Sequence, residues 1–534
     1  MSSDTEVGDY QGGDLTRGTN WWGAFVVGLA GTILVTGVTG PVLAGTGSAG
    51  IVEFFFVTLT GAVLCLCVAE LATMLPDRTG GCPAYAYFAF KDRFPRSSPV
   101  INGVTSWMYW LGWWPVMAVN NILIGGILAT LFNVNISHTI KFMAGAVPIP
   151  VFSLVIGTVI CLVLFVPSYL GIRLGTAFAT VLGLLSMIPL TFLAISPIFH
   201  PSVFHASNIW PLTTPGGHAF FAGHSWILFL EFTALLTWNV IAMEAAACYL
   251  GECENPKRDA PIAMSLEAGY GVFIYTVIPL VFLGVLGLSA VQATALNPGA
   301  LFGGFMLHVF HVKALQDIVD VVLVLALMLS SLNAIMGPAR SLYQIALDGD
   351  LPKIFMHKNR HNVPDFAMGL NTVLNIVLIG FGAPAVIYIF SNVGYVGSFV
   401  PVLLGYYFLR RWRPNLTRPF RLPEWMKYVA LFVAIFYFVV WAWGIPLCSA
   451  HGCAVGSGNE LPQYFIGLAV VLAWFPLWWW RKYRDRVEAR RAGVPAVAAA
   501  TSGAVGSAGT AGVAEPPEPA GAAEPAGPAG PADG

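Results

Sequence analysis

About twelve apolar stretches, most of them roughly 20 residues long, constrain what this chain can fold into more than any other feature. They fall at approximately 21–45, 50–74, 99–131, 150–168, 173–196, 225–250, 266–290, 317–346, 366–384, 386–409, 428–447 and 462–480. Stretches of this length can cross a hydrocarbon core about 30 Å thick. None alternates in the manner of a barrel strand. Only 10% of the 534 residues are charged and 57% are hydrophobic; a soluble domain carries about 25% charged residues. The expected class is an all-α membrane protein with about 12 transmembrane helices.

An even number of spans returns both ends to one side. That side then holds every Lys and Arg of the 26 except Lys141 and Lys313. Basic loops stay in the cytoplasm, so both termini are expected there. Residues 1–20 are polar and glycine-rich, with no basic leader and no cleavage site, and read as a disordered cytoplasmic tail. The transmembrane domain is expected over 21–480. A basic segment and a disordered Ala/Gly/Pro-rich tail follow over 481–534, because such a composition buries too little apolar area to fold. Six cysteines lie in or beside apolar runs and read as small apolar filler. Cys448 and Cys453 flank the loop CSAHGC, and a disulfide outweighs a metal site with His451 there if the loop is external. No metal is expected. Trp21, Trp22, Trp107, Trp110, Trp113, Trp114, Trp478, Trp479 and Trp480 read as interfacial belts.

One stretch departs from this apolar pattern. Leu236-Thr237-Trp238-Asn239-Val240-Ile241-Ala242-Met243-Glu244 begins deep in the sixth span, carries a carboxylate there, and runs on to Pro261 as AAACYLGECENPKRDAP. An acid at membrane depth costs about 2.5–3.5 kcal/mol on insertion scales and marks a site by default. The first span reads GLAGTILVTGVTGPVLAGTG, whose glycines and Pro41 favour a broken helix; close packing through small residues is the other reading. A second break is expected around Trp238–Ala242. The two spans are five apart, the spacing of a five-helix inverted repeat with a midplane site between broken helices.

Four groups of residues resemble the amino acid–polyamine–organocation permease superfamily across approximately 20–480. Val35-Thr36-Gly37-Val38 resembles its glycine-rich break in the first helix. Ala69-Glu70-Leu71 with Pro76, Gly80-Gly81 and Tyr85 resembles the end of its second helix. Trp238, Glu244, Glu252, Asn255, Pro256, Arg258 and Pro261 match its sixth-helix motif, which here is similar to the arginine/agmatine antiporter and polyamine-uptake branches. Ala339-Arg340-Ser341-Leu342-Tyr343 with Asp348-Gly349, Leu351-Pro352 and Pro364 resembles the end of its eighth helix. The resemblance implies a 5+5 inverted repeat, over about 21–196 and 225–409, with two further helices over about 428–480. It implies discontinuous helices 1 and 6 and transport by alternating access. Val35 and Ala242 stand where the superfamily usually has glycine. Ser186 stands where several proton-coupled members carry a lysine.

On this reading the substrate-binding candidates are Thr36, Gly37, Val38, Trp238, Asn239 and Ala242. Glu244 is the coupling or gating candidate, or else a brace for the break. Trp238 is an aromatic gate over a bound cation, or core packing. Glu231 lies two turns from Trp238 on the same face; it would attract a cationic substrate, or it is a plain interfacial acid. Ser330 and Ser331 with carbonyls of the first span are a candidate sodium site, although such hydroxyls also bond their own helix. Asn120, Asn121, Asn333 and Asn392 line a cavity or join helices. Glu252 and its neighbours form a gate or a structural turn, with Arg340 as a partner.

The expected function is a plasma-membrane permease, not an enzyme, importing an amino acid or related organic amine on a proton or sodium gradient. An amine exchanger without net ion coupling, or a polyamine- or ethanolamine-type transporter, is the alternative. No cofactor beyond the coupling ion and no nucleic-acid partner is expected; the partners are a small molecule and the bilayer. A membrane enzyme would need catalytic groups inside spans, whereas the histidines fall mostly in loops, as His138, His205, His218, His357, His361 and His451 do.

Overall fold

The structure, a computed structural model, describes residues 14–140, 148–220, 225–381, 384–453 and 459–492. The first span is split into α1 (Trp21–Thr32) and α2 (Val35–Thr46). Asn20 starts it by accepting from the backbone N–H groups of Trp22 and Gly23 at 3.0 and 3.2 Å, which satisfies two donors a helix start leaves free. The second span is α3 (Gly50–Met74), followed by the short α4 (Ala86–Phe90). The third is α5 (Ser98–Trp113) and α6 (Val116–Leu131), interrupted at Trp114-Pro115. A two-residue hairpin, β1 (Thr139–Ile140) with β2 (Ile149–Pro150), leads to α7 (Val151–Tyr169) and α8 (Ile172–Ile195).

The second half repeats this plan. The sixth span is α9 (Ser225–Ile241) running into a 3₁₀ helix, Ala242–Glu252. The seventh is α10 (Pro256–Thr294), broken near its end at Gly287, where φ is 74°. Then come α11 (Pro298–Phe310), α12 (Lys313–Leu347), α13 (Asp365–Ile379) and α14 (Pro384–Trp412). The eleventh span is α15 (Met426–Val439), a π turn at Val440–Gly444 and α16 (Ile445–His451). The twelfth is α17 (Leu461–Leu472) and α18 (Trp474–Arg491). The helix α11 was not expected as an element; it lies in the connection between the seventh and eighth spans.

Like-numbered spans of the two halves pack on each other. α1 lies against the 3₁₀ helix, α2 against α9, α3 against α10, and α5 and α6 against α12. This pairing is what an inverted repeat about a two-fold axis in the membrane plane produces. The outward faces are apolar: on α7, Val155, Val159, Leu162 and Val166 recur at helical spacing and are exposed. That is a lipid-facing stripe on a multi-pass membrane protein.

Several expectations are corrected. Residues 14–20 are strapped to the fold and not a tail: the Asp14 carboxylate takes Tyr343 and Lys358, Arg17 pairs with Asp77, and Thr19 bridges to Cys253. The basic segment after 480 continues α18 as helix to Arg491. Trp107, Trp110, Trp113 and Trp114 are buried between helices and form no interfacial belt; the indoles of Trp107, Trp110 and Trp113 bond to other elements, as from Trp110 to Asn371 at 3.0 Å. One expectation agrees with the structure: Cys448 and Cys453 are joined by a disulfide. The expected tails at 1–13 and 493–534, and Lys141, lie outside the described residues.

Candidate functional site

The two interrupted spans cross at their breaks. A methyl group on Gly31, in the last turn of α1, would overlap the carbonyl of Ala242, the first residue of the 3₁₀ helix. One turn earlier, a methyl on Gly28 would meet Ala246 at 2.9 Å. Glycine lets these backbones approach to contact distance. The side chain of Tyr275 on α10 fixes the crossing. Its hydroxyl donates toward the carbonyls of Gly31 and Asn239, at 3.1 and 3.2 Å. The Gly31 carbonyl also accepts the backbone N–H of Leu34 at 3.2 Å across the break, and the tyrosine hydroxyl lies against both interrupted spans. The first break falls at Ile33-Leu34, two residues before the expected glycine motif, with the Thr36 hydroxyl bonded to the Ile33 carbonyl at 3.1 Å. The second falls at Ile241–Ala242, inside the expected window.

Glu244 is fully buried on the 3₁₀ helix and receives four donors. Tyr395 and Trp113 reach Oε1 at 2.7 and 3.1 Å; Cys82 and Tyr109 reach Oε2 at 2.9 and 3.0 Å. The glycine pair Gly80-Gly81, at φ 88° and 92°, turns the chain after α3 so that Cys82 arrives there; only glycine takes such a backbone without strain. Glu244 therefore ties the 3₁₀ helix to α5, α14 and the turn after α3. The Glu244 carboxyl is thus enclosed by four side-chain donors.

On the other side of the crossing, the Trp238 ring stands edge-on to Tyr388 at 4.6 Å and to Tyr395 at 6.4 Å. A methyl on Gly37 would lie 3.1 Å from the Tyr388 hydroxyl. Gly37, Pro41 and Tyr388 are half-buried whereas their neighbours are closed off. The indole N–H of Trp238 and the side-chain oxygen of Asn239 are buried without a partner among the described residues. Of the substrate-binding candidates, Gly37 and Trp238 thus meet around Tyr388, and Asn239 is the neighbour of Trp238 on α9. Thr36 bonds its own helix and Val38 is buried in the core. Ala242 packs against Gly31: the alanine in place of the usual glycine fits because the residue facing it has no side chain.

Glu231 is engaged by His451, beside the disulfide loop, so the carboxylate expected to stand free above Trp238 already has a partner. Ser331 donates to Asn121 on α6 at 3.0 Å, and the Ser330 hydroxyl is buried without a partner among the described residues. Asn121, Asn333 and Asn392 join helices, through Gly157, Tyr249 and Ala234. Arg340 pairs with Glu252, both buried, with one contact at 3.0 Å. With the Arg78–Asp348 pair and the strap of residues 14–20, it closes the face that carries the basic loops. A cleft of about 660 Å³ opens on that face at the end of α14, among Arg410, Arg411, Arg418 and Arg421; it is remote in sequence from the helix breaks.

Sequence reasoning missed Tyr275, Tyr388, Tyr395, Tyr109, Cys82 and Glu267. The tyrosines look like ordinary aromatic content of apolar spans. Glu267 had a signal, an acid one residue inside the seventh span in SLEAGYGVF, overlooked because it sits near the expected span boundary.

A family model described as amino acid permease matches residues 20–475. The chain is 23% identical over 340 residues to an uncharacterized amino acid permease, YvbW, of Bacillus subtilis, covering 62% of this chain and 70% of that one. It is 26% identical over 221 residues to a glutamate/gamma-aminobutyrate antiporter of Lactococcus lactis, covering 39% and 43% of the two chains. It is 24% identical over 373 residues to a probable polyamine transporter of Arabidopsis thaliana, covering 67% and 66%. The crossed, interrupted spans one and six and the match over nearly the whole helical body agree: this chain is a membrane transport protein and belongs to the amino acid permease family.

Proposed function

We propose that this permease imports an amino acid or related organic amine by alternating access, on a proton or sodium gradient, across the plasma membrane, with both termini cytoplasmic. The observation that carries the reading is the Trp238 indole N–H, buried without a partner among the described residues on a ring packed against half-buried Tyr388, which faces Gly37; the adjacent Asn239 carries a second such atom, its Oδ1. A buried polar atom without a partner loses about 1–3 kcal/mol, and a substrate with both donor and acceptor groups would recover it. The aromatic faces of Trp238 and Tyr388 suit an ammonium group. The positive-inside distribution supports the orientation.

The test is uptake into proteoliposomes with labelled amino acids, polyamines and ethanolamine, under separate proton and sodium gradients. Accumulation of at least one of these above its equilibrium level is expected. Counterflow without any gradient-driven accumulation would establish the exchanger reading instead; no uptake of any of them would sink both.

A further inference from the structure

We infer that Glu267 is the proton-binding site through which this permease couples to a proton gradient, an inference that rests on the alternating-access reading above. Glu267 lies on α10, fully buried, and is bonded to α1 next to the seam where α1 meets the 3₁₀ helix. Its Oε2 accepts from the Thr32 hydroxyl of α1 at 3.3 Å. Its Oε1 has no partner among the described residues, and it lies so close to α1 that a methyl on Gly28 would overlap it. The same methyl would also press on Ala246 of the 3₁₀ helix. The carboxyl is thus wedged where α1, the 3₁₀ helix and α10 meet, on the closed, basic side of the crossing.

Among the described residues no cation acts on this carboxyl to balance a charge there. α10 packs on α1, α2, α3, α8 and the 3₁₀ helix, among other elements, and α2 carries no titratable side chain. The titratable groups that bear on Glu267 are Glu244, Cys65 and Tyr270. The other charged groups of these elements are committed elsewhere or exposed. Glu53 accepts from Thr233, Glu70 holds Arg410 and Arg418, Glu252 holds Arg340, and Arg173 is exposed. An ionised carboxylate with one hydrogen bond would be a bare buried charge. The acid with its proton is the form this packing accommodates. Glu244 is the opposite case: four donors aimed at two oxygens suit an acceptor-only carboxylate. The two buried acids therefore divide the roles, Glu244 as a fixed brace and Glu267 as the group that exchanges a proton.

The position supplies the coupling. Opening the basic side requires α1 to part from the 3₁₀ helix, and Glu267 lies beside that seam. Water would then reach the carboxyl, the O–H bond would break, and the proton would leave to that side. The carboxyl takes up a new proton from the opposite aqueous phase while the site is open to that side, before the basic side opens again.

The test uses purified full-length protein in liposomes and a substrate that the wild type carries. Accumulation on a proton gradient and gradient-free counterflow are both measured across pH. Glu267→Gln is expected to lose proton-driven accumulation by about tenfold or more, to lose the pH dependence of counterflow, and to lose far less of counterflow itself. Thr32→Val removes one bond to the ionised form and is expected to move the pH midpoint of uptake upward by about half to one unit. A Glu267→Gln protein that still accumulates substrate with the wild-type pH profile overturns the inference. So does equal loss of both activities in Glu267→Gln with an unmoved midpoint in Thr32→Val. Wild-type uptake that follows sodium and ignores pH overturns the Glu267 assignment and leaves transport standing, whereas no uptake by the wild type overturns both.

Discussion

At the scale of single residues, the two buried acids differ in how many donors they own. Glu244 accepts from two tyrosines, a tryptophan and a cysteine that come from three separate parts of the chain. Hydrogen bonds to a charged group contribute about 1.5–3 kcal/mol each, and leaving donors buried without an acceptor costs about the same. Glu244→Gln turns one acceptor oxygen into a donor facing donors. It is expected to lower the melting temperature of the purified protein by about 2–4 °C, at roughly 1 kcal/mol per degree for a chain of this size. Tyr395→Phe, which removes one donor and leaves the cage, should lower it by less. A Glu244→Gln protein melting with the wild type would show that the cage does not hold the 3₁₀ helix.

At the scale of elements, the crossing of α1 and the 3₁₀ helix is set by what glycine lacks. Gly31 and Gly37 look alike in the sequence, both within the glycine-rich first span. Their surroundings differ: a methyl on Gly31 would run into the Ala242 backbone, but one on Gly37 would meet only the hydroxyl end of the Tyr388 side chain, at 3.1 Å. Backbone cannot move aside without moving the helix, and overpacking costs about 1–3 kcal/mol. Gly31→Ala should therefore reduce both thermal stability and the maximal rate of uptake. Gly37→Ala should leave the melting temperature within about 1 °C and raise the Michaelis constant, because the added methyl faces the proposed substrate space. Melting curves and initial rates on the two variants check this; a Gly31→Ala protein as stable as Gly37→Ala would mean the helices do not touch there.

At the scale of the whole molecule, the basic face is tied shut by pieces from distant parts of the chain. The helix α18 docks through Arg481 on the Leu351 carbonyl at 2.6 Å, Lys482 on Asp350 at 3.3 Å and the Trp478 indole on Asp350 at 3.2 Å. Burial outweighs the Lys482 charge and pushes the Asp350 carboxyl up to about 7, from an ordinary value of 3.8. The folded state then holds this proton between about pH 4 and 7, where the unfolded chain has released it. Stability is greatest below the unfolded value and falls as pH rises towards 7, by about 4 kcal/mol at most. Asp350→Asn removes that dependence, so the variant should gain on the wild type as pH rises, melting above it at pH 8 and showing a flatter profile from pH 4 to 7. Parallel profiles for the two proteins would mean that Asp350 ionises freely in the folded state.

The sequence alone determined the number of spans, the gathering of basic residues in alternate loops, the interruption of spans one and six and the presence of an acid inside the sixth, Glu244. These are local properties: apolar length, charge per loop, glycine density and one acid at membrane depth are each read within a window of some 20 residues. The sequence also paired Arg340 with an acid at the end of the sixth span, because both lie in motifs on one side. Only the tertiary structure decided what each polar group meets. Tyr109, Trp113 and Tyr395 converge on Glu244 from 131 to 151 positions away along the chain. Tyr275 lies against both interrupted spans, Glu231 is taken by His451, and the tryptophans of α5 face inward. In a helix buried nearly all round, every face is apolar, so periodicity does not reveal which neighbour a polar side chain will find. That choice is made when the two halves pack around their shared axis, which is why Glu244 was visible in the sequence while the cage around it, and Glu267 against α1, were not.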